Sequence, residues 1–292
     1  MSPAPLLFGT AGIPHSTPRN SSVSGIESVR GLGLDAMELE FVQRVSMGEK
    51  TARLVRMSAE EHGVRLSVHA PYYINLNSKD PAKLQASTDR LLHAARVAAD
   101  CGARNVVFHP GYNHQDPPQQ VYERIAENLR SIVRQMSAEG VDVCLRPETA
   151  GRAAQFGSLE EILRLCFDVK GLLPCVDFAH LHARSCGNLG HCGGWGQVLE
   201  EMRGMLGPQA MADVHLHVQG IAYGVHGEKK HLNLAESDLK YEELLQALVD
   251  HDVRGTLICE SPNLEEDARL LQGTYRTLAG VNVSDGRQRS GH

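Results

Sequence analysis

Histidine, aspartate and glutamate recur at the ends of short apolar segments in this chain of 292 residues. The residues are His69, His109, Glu148, Asp177, His180, His215, His217 and Glu260. Imidazole and carboxylate groups together favour zinc, manganese or iron over magnesium. Their burial would be costly without a partner or a metal ion. A single site of three or four ligands would use only half of them. The residue types therefore predict a divalent metal centre with two or three ions, zinc being the first expectation.

Eight short segments with β-strand character precede or contain these residues and alternate with helical patterns. The predicted strands are 6–12, 36–41, 65–71, 105–111, 141–148, 172–180, 212–219 and 255–262. Amphipathic helices are predicted between them, as at 81–101, 119–139 and 237–251, the last capped by Ser237 or Asp238. Apolar strands that alternate with helices indicate a parallel sheet covered on both faces. Eight repeats favour a closed (β/α)8 barrel, with an open doubly wound sheet as the alternative.

The carboxyl ends of barrel strands surround one cavity, which is where catalytic groups lie in this fold. Six consecutive predicted strands, from the third to the eighth, direct a histidine or an acid to that end. A single histidine after a strand is more often a hydrogen-bonded structural residue than a ligand. Six strand ends that all carry such residues favour a metal site.

Length and composition agree with one barrel domain over residues 1–281, followed by a polar tail over 282–292 that we expect to be disordered. The chain has 42% hydrophobic and 22% charged residues and lacks a run of about 20 apolar residues, so we expect a cytoplasmic protein. The seven cysteines lie mostly in apolar segments, which is typical of reduced thiols. The net charge of −6 is unusual for a protein that binds nucleic acid, but divalent cations in one cleft would reverse the local potential.

Six motifs together resemble those of endonuclease IV, within the xylose isomerase-like barrel superfamily. They are HAPYYINL (69–76), FHPG (108–111), PETAG (147–151), CVDFAH (175–180), VHLH (214–217) and ESP (260–262). The resemblance implies one metal held by His69, His109 and Glu148. It implies a second metal held by Glu148, Asp177, His215 and Glu260. It implies a third metal held by His180, His231 and an aspartate two residues before that histidine.

The third metal site departs from the family pattern, because Lys229 occupies the position of the aspartate. A protonated lysine does not bind a metal ion. Glu228 would replace the aspartate if the loop is reshaped, and His226, His182 or a water molecule are the other candidates. The sequence predicts two ions in either case and leaves the third open.

The resemblance implies a DNA-repair hydrolase that cleaves the phosphodiester 5′ to an abasic site, leaving a 3′-hydroxyl and a 5′-deoxyribose phosphate. Its partner would be double-stranded DNA with abasic sites, without a membrane or a protein partner. Tyr72 and Tyr73 lie where the family places residues that enter the duplex, and Lys229 and Lys230 are candidates for phosphate contacts.

Two other functions are open on the sequence. The same superfamily includes sugar isomerases and epimerases, and a relative without catalysis would still bind metal or nucleic acid. The full set of ligands favours an enzyme, and the tyrosine pair favours the nuclease. A separate group, Cys186, His191 and Cys192, fits no common structural zinc pattern and is expected to form a mobile loop.

Overall fold

Eight parallel strands form the barrel in the computed structural model, which describes residues 6–190 and 194–280. His191, Cys192 and the predicted tail lie outside the described residues. The barrel strands are β1 (Leu6–Ala11), β2 (Ala36–Glu40), β3 (Arg65–His69), β4 (Asn105–Phe108), β6 (Cys144–Pro147), β8 (Cys175–Asp177), β9 (Val214–Val218) and β12 (Gly255–Cys259). Two small antiparallel pairs consist of β5 (Gly111–Tyr112) with β7 (Gln155–Phe156), and β10 (Gly220–Gly224) with β11 (Gly227–Leu232).

The sheet closes on itself. Its hydrogen-bonded order is β6-β4-β3-β2-β1-β12-β9-β8, so the first and last barrel strands are direct neighbours. Parallel bridges from Leu145 to Leu172 and from Glu148 to Cys175 join β6 to the segment that contains β8. The predicted (β/α)8 barrel is confirmed, and the open doubly wound alternative is wrong.

Helices cover the outside of the barrel. They are α1 (Ser22–Gly31), α2 (Glu49–His62), α3 (Pro81–Cys101), α4 (Pro118–Glu139), α5 (Leu159–Asp168), α7 (Gly194–Leu206), α8 (Tyr241–Asp250) and α9 (Glu265–Leu278). A short helix, α6 (Phe178–Arg184), packs on β9, β10 and β11 instead. The helix α3 begins after Asp80, whose carboxylate accepts from the amides of Ala82 and Lys83. It ends at Gly102, whose φ of 73° is a left-handed conformation that glycine adopts without strain.

The predicted start of α8 is wrong by four residues. Ser237 and Asp238 do not cap the helix, because their side chains bind elsewhere. The Ser237 hydroxyl accepts from the amide of Ile221, and the Asp238 carboxylate accepts from the hydroxyl of Tyr223 at 2.6 Å. The helix begins at Tyr241, after the loop has made these contacts.

The apolar core lies between the strands and the helices, whereas the inside of the barrel is polar. Strand β9 shows this division, because Leu216 lies between the buried His215 and His217 and points to the opposite side. The six cysteines in the described ranges are free, and Cys175 and Cys259 are buried. None of the helices within residues 6–190 and 194–280 is long and apolar enough to cross a membrane.

Candidate metal centre

A cavity of about 280 Å³ opens at the carboxyl ends of the barrel strands. Its lining includes His69, Tyr72, His109, Glu148, Arg152, Gln155, His180, Glu228, His231 and Glu260. Three groups of histidines and acids with metal-binding geometry adjoin this cavity, and within each group the candidate ligand atoms lie within 4.8 Å of one another. The strand ends therefore bring together side chains that are far apart in the chain.

The first cluster consists of His69 at the end of β3, His109 after β4 and Glu148 after β6. The Glu148 Oε2 atom lies 3.1 Å from His69 Nε2 and 3.3 Å from His109 Nε2. These are the three residues that the family resemblance implied for the first metal, and the structure places them together.

The second cluster consists of Glu148, Asp177, His217 and Glu260. The Nδ1 atom of His217 lies 3.3 Å from Glu148 Oε1 and 3.3 Å from Glu260 Oε1. Glu148 thus presents one oxygen to each of two neighbouring clusters, as a bridging carboxylate would.

The sequence-based assignment of His215 to this second cluster is corrected to His217. Both side chains point into the barrel, because residues two apart share a face of a strand. His217 is nearer the carboxyl end of β9 and reaches the acids of the cavity, whereas His215 lies one layer deeper. The deeper ring binds Glu38 Oε2 at 2.9 Å through Nε2 and Asn105 through Nδ1.

The third cluster consists of His180, Glu228 and His231. His180 Nε2 lies 3.7 Å from Glu228 Oε2, and His231 Nε2 lies 3.8 Å from Glu228 Oε1. The sequence predicted His180 at the end of a strand, but it belongs to the first turn of α6. Glu228 takes the place that the sequence left open for a third carboxylate.

A register shift in the β10–β11 pair explains how Glu228 reaches this cluster. Ala222 pairs with Lys230 but Tyr223 pairs with Glu228, so Lys229 is an extra residue without an opposite partner. The side chains beyond such a bulge point to the face opposite to the one that regular alternation would give. Lys229 is exposed, His226 is exposed in the hairpin turn, and His182 binds Asp238 at 3.1 Å instead.

The protonation pattern of three rings fits metal ligands. The Nδ1 atoms of His69, His180 and His231 lie 2.9, 3.0 and 3.4 Å from the carbonyl oxygens of Ala70, Thr149 and Glu260. A carbonyl oxygen only accepts hydrogen bonds, so each Nδ1 carries the proton. With cations bound, the Nε2 lone pairs would point toward the clusters, which is the usual arrangement of metal-binding histidines.

The charges of the clusters favour bound cations. Burial lowers the pKa of His109 to about 4, which keeps its ring neutral and able to bind a metal. Burial also raises the pKa of Asp177 to about 6. Burial lowers the pKa of His217, but Cys175, Glu260 and Glu38 outweigh it and hold that pKa well above its ordinary value. Without a cation, His217 and Asp177 therefore hold their protons more strongly than the free side chains do, and metal binding would release these protons.

Two acids of β2 were missed by the sequence analysis. Glu38 and Glu40 form a further acidic group with Glu260, and Glu38 also binds His215 and His217. The segment MELEF carried a signal, since its two glutamates share one face of the strand. Arg152 and Gln155, which line the cavity, were missed as well.

The predicted DNA-binding residues lie at the rim. Tyr72 lines the cavity with a ring centroid 5.9 Å from that of His69, and its side chain is 54% exposed. Tyr73 is 62% exposed and is absent from the cavity lining. Lys229 and Lys230 are exposed on β11. The ring of Tyr72 can therefore contact a ligand in the cavity, whereas the ring of Tyr73 faces the surface outside the cavity lining.

A family model described as the xylose isomerase-like TIM barrel matches residues 26–278. The chain belongs to this family. It is 43% identical to an uncharacterized protein of Methanocaldococcus jannaschii over 94% of this chain and 98% of that protein. It is 27% identical to a probable endonuclease 4 of Bacillus velezensis over 76% of this chain and 74% of that protein.

Solved structures with this fold carry more than one activity in their names. Endonuclease IV from Thermus thermophilus matches with a TM-score of 0.71 and 20% identity, covering 94% of this chain and 100% of that chain. A D-tagatose 3-epimerase-like protein matches with a TM-score of 0.71 and 18% identity, covering 93% and 97%. These likenesses establish the fold, and the choice between activities depends on the site.

Proposed function

We propose that this protein is a metal-dependent phosphodiesterase that cleaves DNA 5′ to abasic sites, leaving a 3′-hydroxyl and a 5′-deoxyribose phosphate. The observation that carries the proposal is the contiguity of three ligand clusters, two of which share Glu148. A phosphodiester presents several oxygens that need positive charge at once, and a row of cation sites matches that demand. The similarity to a probable endonuclease 4 supports the same reaction class.

Divalent cations, zinc being favoured by the mixture of imidazole and carboxylate ligands, would supply Lewis acidity and activate water in the cavity. The residues of the chain fix the geometry of that chemistry. Glu148, buried between two clusters, would set the spacing of their occupants through its two oxygens. Backbone carbonyls hold the rings of His69 and His180 in place, so little reorganisation is needed when substrate binds.

The charge of the cavity explains why metal and substrate binding would be coupled. Glu148, Glu228 and Glu260 line it, and their charges would repel a phosphate group in the absence of cations. Arg152 also lines the cavity and its Nε donates to the backbone oxygen of Glu228 at 3.2 Å. Its guanidinium is thereby held beside the third cluster, where it would contact a phosphate oxygen.

The rim residues suit recognition of a gap in a base stack. Tyr72 would fill the space left by a missing base, because its exposed ring stands beside the cavity rather than inside it. Tyr73 offers a second aromatic surface next to it. Lys229 and Lys230 would meet the phosphate backbone on the side of the third cluster.

A sugar epimerase is the second candidate, since the D-tagatose 3-epimerase-like structure matches with the same TM-score as endonuclease IV. A cavity of about 280 Å³ lies just below the usual range for ligand sites, and a ligand as small as a monosaccharide would suit it. Epimerisation by proton transfer needs bases beside one carbon atom, and one metal suffices to orient the sugar. The third cluster has no evident role in that reaction, which favours the nuclease.

The deciding experiment uses the zinc-loaded full chain and a duplex oligonucleotide with one tetrahydrofuran abasic analogue. We expect incision 5′ to the analogue with a 3′-hydroxyl product, and no incision of the matched intact duplex. In parallel, the protein is incubated with D-tagatose and D-fructose and the products are separated by chromatography. Sugar conversion without incision of abasic DNA would overturn the nuclease in favour of the epimerase.

A further inference from the structure

A line of buried polar side chains runs inside the barrel from its amino-terminal end to the second cluster. Its members, all at most 4% exposed, are Arg146, Asn105, His215, Glu38 and His217. Of these, His217 belongs to the second cluster, and Glu38 also lies beside Glu40 and Glu260 in the acidic group. The direction of each hydrogen bond along this line follows from the chemistry of the groups.

Arg146 fixes the first direction, because a guanidinium only donates hydrogen bonds. Its Nε donates to Asn105 Oδ1 at 2.9 Å. Its terminal nitrogens donate to the backbone oxygen of Asp213 at 3.0 Å and to Asp213 Oδ2 at 2.9 Å, which anchors the guanidinium at the far end of the barrel. The oxygen of the Asn105 amide therefore faces Arg146, and its nitrogen faces the other way.

The Asn105 amide then fixes the proton on His215. Asn105 Nδ2 lies 3.3 Å from His215 Nδ1, and the amide nitrogen only donates. His215 Nδ1 must accept, so the ring proton is on Nε2. That Nε2 lies 2.9 Å from Glu38 Oε2 and donates to it.

Glu38 transmits the direction to His217. Its second oxygen, Oε1, lies 2.9 Å from His217 Nε2 as a close ion pair, without the alignment of a hydrogen bond. The other ring nitrogen also faces carboxylates, because His217 Nδ1 lies 3.3 Å from Glu148 and from Glu260. A cation in the second cluster would replace the proton on Nδ1, and the remaining proton would then lie on Nε2, where the ionised carboxylate of Glu38 favours it.

We propose that this relay fixes His217 in the tautomer whose Nδ1 binds the cation of the second cluster, with Glu38 as the positioning residue. The inference rests on the proposed metal centre and adds a role for residues outside its three clusters. A single tautomer is also favoured in three other rings, but there the proton is on Nδ1 and faces one backbone carbonyl oxygen. These rings are His69, His180 and His231. In His217, the carboxylate of Glu38 takes the place of that carbonyl. The orientation of Glu38 is in turn fixed by His215, and that of His215 by Asn105.

The first test is nitrogen NMR of the zinc-loaded protein with ¹⁵N-labelled histidine. Long-range proton–nitrogen correlations distinguish Nδ1 from Nε2 protonation. We expect His215 and His217 to be protonated at Nε2, with zinc on Nδ1 of His217. A proton on Nδ1 of His215, or zinc on Nε2 of His217, would overturn the relay. A protein that shows these tautomers but does not incise DNA would contradict the proposed nuclease and leave the relay intact.

The second test is Glu38→Gln, which keeps the size of the side chain but replaces one acceptor by a donor. His215 Nε2–H needs the amide oxygen, so the amide nitrogen faces His217 and forces its proton onto Nδ1, the ligand atom. We expect the zinc affinity of one site to fall about 10- to 100-fold. Zinc titration measures this, and the same NMR experiment should show the moved proton. Wild-type affinity, with His217 still protonated at Nε2, would overturn the proposal.

The control is Glu161→Gln, the same change in a carboxylate outside the barrel. Glu161 belongs to a capping box at the start of α5 and accepts from the amides of Gly157 and Ser158. We expect it to bind zinc with wild-type affinity. If Glu38→Gln does not fold, the NMR spectrum of the unmodified protein decides the proposal alone. Cobalt substitution adds an independent readout, because an intense thiolate band would place the ion at Cys175 with His215 and His217 and contradict the relay.

Discussion

Glu228 and His231 face the same side of β11 although they are three residues apart, with 3.8 Å between Glu228 Oε1 and His231 Nε2. Regular strand alternation would place them on opposite faces. The extra residue Lys229 restores a common face, so the chain keeps a carboxylate in the third cluster without an aspartate at position 229. The shifted pairing of β11 with β10 thus accompanies the presence of Lys229 where the family pattern has an aspartate.

The third cluster predicts the effect of Glu228→Ala on metal content. We expect the unmodified protein to carry three divalent ions and the variant to carry two, because His180 and His231 alone leave the ion with two protein ligands. Elemental analysis after dialysis against metal-free buffer measures both. One ion or fewer in active unmodified protein would contradict the multinuclear centre.

Adding Lys229→Asp to Glu228→Ala tests the bulge itself. If the bulge persists, the new aspartate points away from the cluster and the third ion is not recovered. Lys229→Ala is the matched control, and we expect it to retain the full metal content since its side chain is exposed. Recovery of the ion in the double variant would show that the register of β11 adapts to its sequence.

The two rim tyrosines should differ in their effect on recognition. We expect Tyr72→Ala to reduce the preference for abasic over intact duplex more than Tyr73→Ala does, because Tyr72 lines the cavity. Metal content should not change in either variant. Competition binding with the two duplexes measures the preference. Equal preference to the unmodified protein in both variants would remove the aromatic wedge from the proposal.

The barrel and most of its candidate metal ligands were predictable from local patterns. Each predicted strand contains the observed one, and His69, His109, Glu148, Asp177 and Glu260 lie at the expected end. Apolar strands followed by helices leave few other folds. The residue types at the strand ends then indicate the candidate site.

The remaining parts of the site depend on relations between distant segments. His215 and His217 share one face of β9, and only the stagger of the strands decides which layer reaches the cavity. The role of Glu38 depends on its position across the barrel from β9. Glu228 depends on a register shift against β10, which no local pattern of β11 reveals.

The carboxyl group of Glu40 predicts a pH-dependent loss of stability in the metal-free protein. Burial raises its pKa from the ordinary 4.5 to about 8, with Glu38 and Glu260 adding to the rise. The folded state therefore retains a proton that the unfolded state gives up. The stabilisation is fully present below pH 4.5 and is lost as the pH rises to about 8.

Glu40→Gln has no proton to lose, so its stability should not show this decline. We expect the difference in free energy of unfolding, variant minus unmodified protein, to increase as the pH rises from about 5 to about 8.5. Urea unfolding in the presence of a chelator measures the difference at each pH. A difference that is the same at both ends of this range would contradict the assignment.

The bridging position of Glu148 gives the strongest prediction for catalysis. Its Oε2 faces His69 and its Oε1 faces His217, so it belongs to two clusters at once. Glu148→Gln keeps the size of the side chain but removes one negative charge and one anionic ligand atom. We expect incision of tetrahydrofuran-containing duplex to fall at least about a hundredfold, since metal-assisted catalysis is worth several kcal/mol.

Binding of abasic DNA should survive this change better than turnover, because the rim tyrosines are unchanged and the third cluster keeps its three residues, of which only His180 contacts Glu148. Single-turnover incision and fluorescence anisotropy separate the two effects, and circular dichroism checks that the barrel is folded. Glu161→Gln is again the matched control and should incise at the normal rate, because its carboxylate only caps α5 outside the barrel. If folded Glu148→Gln incises at close to the unmodified rate, the bridge between the two clusters has no part in the reaction, and the proposed phosphodiesterase centre is wrong.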